Sequence, residues 1–400
     1  MSKFFDVCVR GDGVVGRTTA LLLAKERLKV ALVVPPAREH AAPTPHGTTP
    51  DIRAYALNSA SKQLLESLRV WPDESFATPV QSMQVWGDDG GQLEFNSPAA
   101  GQNALNWIVD VQQLESQLMQ ACSYQSQIEI VTEPEAAASA ALTVICEGQK
   151  SSSRQTVGSP WTRKPYAQHA IAARLTTTTP HGGCARQWFS GGSAQGDVLA
   201  LLPMGGSSGN SWALVWSVND ERATQLMQLQ PDVFCEALAA ACTPTSSGAG
   251  GLGRLELTSE RASWPLALGS ADRWVGPGWA LAGDAAHTVH PLAGQGLNLG
   301  LADAAFLSRV LAGREYWRAL GDEKLLRRYE RARKADVAAV SAVTDGLHNL
   351  FAQAGPAWQS ARNWGMNGVA RSQSIKTWLM QRASGAVSSS IEKTPTQRNV

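Results

Sequence analysis

The stretch Phe5-Asp6-Val7-Cys8-Val9-Arg10-Gly11-Asp12-Gly13-Val14-Val15-Gly16-Arg17 decides the fold. Residues 5–9 form a short apolar run that stops at a cluster of glycines. A stretch with helical spacing follows over residues 17–27, and a second apolar run covers residues 30–34. Strand, tight turn, helix, strand is the opening of a doubly wound sheet. Gly11, Gly13 and Gly16 fit the GxGxxG spacing that binds a dinucleotide. The first glycine permits the tight turn, the second lets a pyrophosphate approach the backbone, and the third lets helix and strand pack closely. The helix start then offers free N–H groups and a positive dipole end to the phosphates. Three residues fit this pattern badly. Val34 stands where an acid ordinarily contacts the adenosine ribose. Asp12 puts a negative charge inside a phosphate-binding turn, and Arg10 puts a positive charge where the strand should be apolar. Arg10 either neutralises Asp12 or reaches a phosphate itself; drift towards weaker cofactor binding is the competing reading.

Working outward, residues 35–50 are rich in Pro, Ala, His and Thr and read as a loop. Residues 54–68 and 111–122 carry helical spacing. Residues 142–145 form a short apolar strand that ends at Glu147-Gly148. From residue 166 to about residue 218 the pattern turns strand-like, over 168–174, 185–190, 198–203 and 211–216, as in an antiparallel sheet. Residues 279–282 read as a buried strand, a long glycine-broken helix begins near Gly296, and residues 325–382 are almost all helical. The expected fold class is α/β: a Rossmann-like FAD-binding domain with an inserted antiparallel-sheet substrate domain and a helical C-terminus. The expected division is a discontinuous nucleotide domain over 1–75, 103–165 and 273–345, a substrate domain over 76–102 and 166–272, and C-terminal helices over 346–400.

Composition narrows the function classes. A chain of 400 residues with 44% hydrophobic and 17% charged side chains is ordinary globular protein, long enough for a large core. A formal net charge of +1 provides no basic footprint, so no nucleic-acid partner is expected. Cys8, Cys122, Cys146, Cys184, Cys235 and Cys242 are scattered without a CxxC pair, which argues for reduced thiols and against a disulfide framework or a metal site. The start lacks a long apolar signal core, and no uninterrupted apolar run reaches about 18 residues. A cytoplasmic location follows as the expectation, with peripheral membrane contact left open. Fourteen tryptophans are more than this length calls for, and composition alone supplies no account of them.

The second informative block is Ala280-Leu281-Ala282-Gly283-Asp284-Ala285-Ala286-His287, continued by His290-Pro291-Leu292-Ala293-Gly294-Gln295-Gly296-Leu297-Asn298. A carboxylate just past a strand end can accept hydrogen bonds from sugar-like hydroxyls. Glycines at a helix start expose N–H groups to an anion or a polarised carbonyl. These residues resemble the flavin-binding motif of aromatic-ring flavoprotein monooxygenases, the para-hydroxybenzoate hydroxylase group, and within it most nearly the ubiquinone-biosynthesis hydroxylases. The likeness also runs through Asp51-Ile52-Arg53, Glu147-Gly148 with Ser151 and Arg154, Tyr166-Ala167-Gln168, Leu201-Leu202-Pro203 and Thr344-Asp345-Gly346-Leu347.

The resemblance implies roles. Gly11, Gly13 and Gly16 would hold the FAD pyrophosphate, and Gly283 and Asp284 the ribityl and pyrophosphate region. Gly294, Gln295 and Gly296 would lie along the flavin ring, and Pro291 beside its reactive edge. Arg53 would lie near the flavin. Glu147 replaces the usual aspartate of a motif tied to FAD and NAD(P)H, and Arg154 matches that motif's arginine. His290 is weighed equally as a substrate-side or loop-structuring residue, and His287 as structural. The implied function is an FAD-dependent, NAD(P)H-using hydroxylase of a prenylated phenol in ubiquinone biosynthesis, in which the cofactor carries the oxygen chemistry and the protein supplies position and a dry pocket. Two alternatives stay open: a hydroxylase of a soluble phenol, and a non-catalytic accessory subunit with weakened FAD binding. Ile375, Trp378 and Leu379 share one helical face with basic neighbours, which suits either a membrane surface or the core. A biosynthetic complex and a homo-oligomer are further open partners.

Overall fold

The computed structural model describes residues 4–34, 52–87, 91–97, 103–133, 139–190, 196–206, 208–242, 251–289 and 294–352. The glycine turn lies between strand Val7–Arg10 and helix Val14–Lys25, and strand Val30–Val33 follows. A six-stranded sheet grows from this unit in the order Val275–Gly276, Trp279–Leu281, Leu142–Ile145, Val7–Arg10, Val30–Val33, Ile128–Val131. All neighbours run parallel except the first pair, which is antiparallel. Val-Ala-Leu-Val at residues 30–33 is buried throughout, the pattern of a strand covered on both faces.

Segments far apart in sequence complete this sheet, because a strand-rich region intervenes. That region builds a nine-stranded sheet around Trp161–Thr177, which pairs antiparallel with Ser211–Asn219 on one side and Ala262–Ala271 on the other. The central strand begins seven residues before the start expected from sequence, at 161 instead of 168. Pro165 looks like a breaker, yet the register shifts between Pro165 and His169 and so accommodates a residue that cannot donate a ladder bond. The tryptophans find their account here. Trp188, Trp212 and Trp216 are buried in the core under this sheet, and Trp86 stacks on Trp188 at 4.9 Å.

A small antiparallel sheet joins Ala54–Leu57, Asn106–Asp110 and Ala77–Val80. Residues 54–57 therefore differ from the helix expected there. The helix starts only at Ser59, because Asn58 accepts a bond from the Ser61 N–H and caps it, while Ala54–Leu57 pairs edge to edge with Asn106–Asp110. Of the expected insertion at 76–102, Ala77–Val80 lies in this small sheet, and Ser82–Trp86 and Gln92–Asn96 lie in the large one. Helix Glu323–Ala352 runs without a break across residue 345. Residues 353–400, with Ile375, Trp378 and Leu379, lie outside the described residues. Among the described residues no helix is long and apolar enough to cross a membrane.

Helices Val14–Lys25 and Gln295–Ala312 cross closely because Gly300 has no side chain: a Cβ there would come within 2.7 Å of Val15 Cγ2. Beneath this crossing lies a buried polar cluster. Asp303, fully buried on helix Gln295–Ala312, accepts the Gly283 N–H at 2.9 Å and faces His287 Nε2 at 2.6 Å, both through Oδ2. Its Oδ1 accepts Arg333 Nε at 2.7 Å. Arg333 also donates to the Leu299 carbonyl and to Asp336. Trp274 stacks on His287 at 4.9 Å, and the Tyr329 hydroxyl donates to the Leu281 carbonyl. Burial pushes the Asp303 carboxyl up, but His287 and Arg333 outweigh it and hold the group below the ordinary carboxylate range.

Removing one partner of a buried pair leaves an uncompensated charge, at a cost of about 3–5 kcal/mol. Arg333→Met should therefore lower unfolding free energy at pH 7 by about that amount, read by denaturant titration. Because the folded pKa of Asp303 is depressed, its stabilisation is present above the unfolded carboxylate value of about 4 and is lost as pH falls through the folded value. Asp303→Asn should remove this acid-dependent component. A loss under about 1 kcal/mol in Arg333→Met would mean that the cluster does not hold the two helices and the Gly283 loop together.

Candidate cofactor and active site

Steric demands at the turn explain its glycines. Gly11 has φ +111°, and a Cβ there would meet the Cys146 carbonyl oxygen at 2.5 Å. A Cβ on Gly16 would come within 1.9 Å of the Gly11 carbonyl oxygen. Gly13 differs: nothing lies within 4 Å of its added Cβ, so the backbone faces open space. Gly13 is also the N-cap of helix Val14–Lys25, with no side-chain cap bond. Uncapped amides beside a clear approach are what a pyrophosphate needs.

The three discordant residues resolve into separate arrangements. Asp12 pairs with Arg17 on the first helical turn at 3.5 Å. Arg10 instead faces Glu147, with Nε 3.3 Å from Oε1. Val34 packs against the main core, and its N–H continues the sheet to the Val131 carbonyl. Glu147 also accepts from Ser151 Oγ, Ser153 N–H and Ser153 Oγ.

Arg154 lies beyond this loop, buried, with its guanidinium 4.1 Å from the Trp161 ring. It donates to the Ala285 carbonyl at 3.0 Å and the Gln149 carbonyl at 2.7 Å. The structure therefore places Arg154 as a tie between the Glu147 loop and the Gly283 loop. Ser151, through its hydroxyl, caps the short helix Ser152–Thr156 by accepting the Arg154 N–H.

Gly283, at φ +63°, turns the chain out of strand Trp279–Leu281 and leaves the Asp284 side chain exposed in the cleft. Protein crowds the carboxylate on several sides and pushes its pKa up; His287, a Gln149 hydrogen bond and Arg53 pull it down, and Asp303 adds to the rise. Arg53 is thereby placed in the field of Asp284. Its side chain is 44% exposed and donates to Tyr55 Oη at 3.3 Å, which leaves it at the rim of the cleft. Gly294, at φ +60°, caps helix Gln295–Ala312 without a side-chain bond, and a Cβ there would press on Ala56 at 3.1 Å. Asn298 fastens this helix start to the preceding small sheet: Oδ1 accepts from Asn58 N–H and Ser61 Oγ, and Nδ2 donates to the Ala56 and Gly294 carbonyls. Gln295 and Gly296 are half-buried in the first turn, with open space beyond Gly296. His290 and Pro291 lie outside the described residues.

Two uncapped helix starts, the Asp284 carboxylate and open space at Gly13 and Gly296 suit a flavin dinucleotide: an anionic centre, a polyhydroxyl chain and a ring carbonyl each find a complementary group. Asp303, Arg333 and the clamp through Asn298 were missed in the sequence reading. The available signal was a single charge interrupting an apolar row, Leu299-Asp303-Leu307-Leu311 at intervals of four. A cavity of about 280 Å³ opens between the small sheet and the large one, with Phe76, Met204 and Trp212 on its apolar side and the Asp110–Arg174 pair, 3.1 Å apart, on its polar side.

Comparison with known proteins agrees with this geometry. Residues 109–344 match the family model described as FAD binding domain. The chain is 28% identical to the 3-demethoxyubiquinol 3-hydroxylase of Escherichia coli, over 95% of this chain and 98% of that protein. It is 29% identical to the ubiquinone hydroxylase UbiL of Rhodospirillum rubrum, over 96% and 90%. Among solved structures, PqsL of P. aeruginosa in complex with 2-aminobenzoylacetate superposes with a TM-score of 0.72 at 21% identity, over 92% of this chain and 100% of that one. The p-nitrophenol 4-monooxygenase PnpA of Pseudomonas putida superposes at 0.70 with 16% identity, over 96% and 99%. Fold, cleft and sequence thus converge: the chain belongs to the FAD binding domain family and is a flavin-dependent monooxygenase of the aromatic-ring hydroxylase group, with homologues in ubiquinone hydroxylation.

Proposed function

We propose that this chain is an NAD(P)H-using hydroxylase that places an oxygen atom on the ring of a prenylated phenol, a precursor of ubiquinone. The observation that supports the substrate class is the near end-to-end similarity to two enzymes named for ubiquinone-type hydroxylation. When bound, the flavin supplies the redox chemistry, taking electrons from NAD(P)H and activating dioxygen. The chain's own residues do the rest. Gly13 and the first helix start receive the pyrophosphate, Asp284 holds the hydroxyl-bearing linker, and Gly294, Gln295 and Gly296 line the ring. By the family resemblance Pro291 would lie beside the ring's reactive edge, and His290 would serve either the substrate or the loop. Arg53 stands at the rim near Asp284, and Arg154 keeps the two cofactor loops in register. The substrate's phenol needs few polar partners, and its tail needs an apolar path out of water. A mostly apolar cavity between the strand-rich insertion and Pro291 would meet both needs, and Pro291 itself lies outside the described residues. Contact of residues 371–382 with a membrane surface would give a greasy substrate its route in.

Asp284→Ala should yield a folded protein with little bound flavin, visible as loss of the yellow absorbance after purification. Retention of full flavin occupancy would remove Asp284 from the site. For the substrate, NAD(P)H oxidation by the FAD-loaded enzyme should rise with a phenol carrying a short isoprenoid tail, and mass spectrometry should find a product heavier by one oxygen atom. Turnover stimulated only by small soluble phenols would replace the ubiquinone reading and leave the flavin assignment in place. Weak flavin binding without any phenol-stimulated oxidation would favour the accessory-subunit alternative.

A further inference from the structure

The structure carries an unusual arginine at the cofactor turn, and we infer that Arg10 is an additional anchor for the phosphates in the adenosine diphosphate half of FAD. The inference rests on the flavin reading of this cleft. Arg10 is the last residue of strand Val7–Arg10 and directly precedes the glycine turn, a position whose neighbours Cys8 and Val9 are buried. A guanidinium at such a place has to be held against desolvation. Glu147 provides the counter-charge at 3.3 Å, yet the contact lacks hydrogen-bond alignment: the buried Nε has no acceptor among the described residues. Glu147 meanwhile accepts three bonds from Ser151 and Ser153, so it is fixed in place as a support behind the arginine. The Arg10 side chain remains 31% exposed at the strand end where the turn opens.

The surroundings strengthen the case. Asp12, the acid within the turn, is drawn to Arg17 and does not cancel Arg10. Val34 stands where an acid ordinarily fastens the ribose, and its side chain has no group for the hydroxyls. Replacing recognition of a ribose hydroxyl by a charge-assisted contact to phosphate keeps the same half of the ligand anchored through a different atom set.

The test is equilibrium titration of apo-protein with FAD, read by flavin fluorescence, at low and moderate salt. Arg10→Val, which restores the apolar side chain the strand calls for, should raise the FAD dissociation constant about tenfold or more and flatten its salt dependence. Arg10→Lys should recover part of the affinity. ADP should displace FAD from the wild-type chain better than adenosine does, and Arg10→Val should narrow that difference. If Arg10→Val fails to fold by circular dichroism, Arg10→Gln takes its place. An affinity within about twofold of wild type in the Arg10 variant overturns the inference. So does an ADP-over-adenosine preference that Arg10→Val leaves unchanged. Failure of the wild-type chain to bind FAD overturns the flavin reading itself, and this inference with it.

Discussion

The arrangement depends most on one buried carboxylate. Asp303 has no exposed surface, and an ionised group there is tolerated only because three donors converge on it: a backbone amide, an imidazole and a guanidinium. Each donor comes from a different element. Gly283 follows the last parallel strand, His287 lies on the return of the same loop, and Arg333 lies on helix Glu323–Ala352. A single side chain thus fixes where the Asp284 loop leaves the sheet and where the long helix rests. Because the amide is spoken for at φ +63°, the backbone at 283 has little freedom, and the fold sets the neighbouring carboxylate at the cleft, where Gln149 hydrogen-bonds to it.

Charge is handled differently at the glycine turn. There the two acids, Asp12 and Glu147, each face an arginine, Arg17 and Arg10, at the edge of water and not within the core. Such partly exposed pairs contribute little to stability, on the order of 0–1 kcal/mol. Their effect is local: each acid is met by an arginine beside a turn whose shape is already set by Gly11 and Gly16. Shape and charge are therefore carried by different residues, and the cradle survives an aspartate that would otherwise repel its ligand.

What could be read in the sequence follows the range of the interactions involved. The glycine turn and the Gly283–Asp284 loop are written as compact motifs, and both were legible, although Gly11 is confined by the distant Cys146 carbonyl and Gly283 by Val15. Residues 54–57 were not: Ala-Tyr-Ala-Leu has helical spacing, and only the cap at Asn58 and pairing with Asn106–Asp110 turn it into strand. Asp303 and Arg333 resemble solvated helix charges in sequence, since their partnership spans 30 residues. The surplus of tryptophan gains meaning only once Trp188 from one strand joins Trp212 and Trp216 from another.

This split between local and distant determinants has a consequence for how the chain divides its tasks. The cofactor end is built from positions where added atoms would collide with backbone, as at Gly11 with the Cys146 carbonyl and Gly16 with the Gly11 carbonyl. Backbone cannot be repacked by a neighbouring substitution, so these positions admit one residue type. The large sheet imposes the opposite condition. Its faces are lined by side chains in contact with other side chains, such as Trp86 on Trp188 and Trp216 near Phe234, where volume can be exchanged between partners. A fold assembled this way holds the shape of the turn fixed at its glycines and leaves the side chains of the large sheet free to change together.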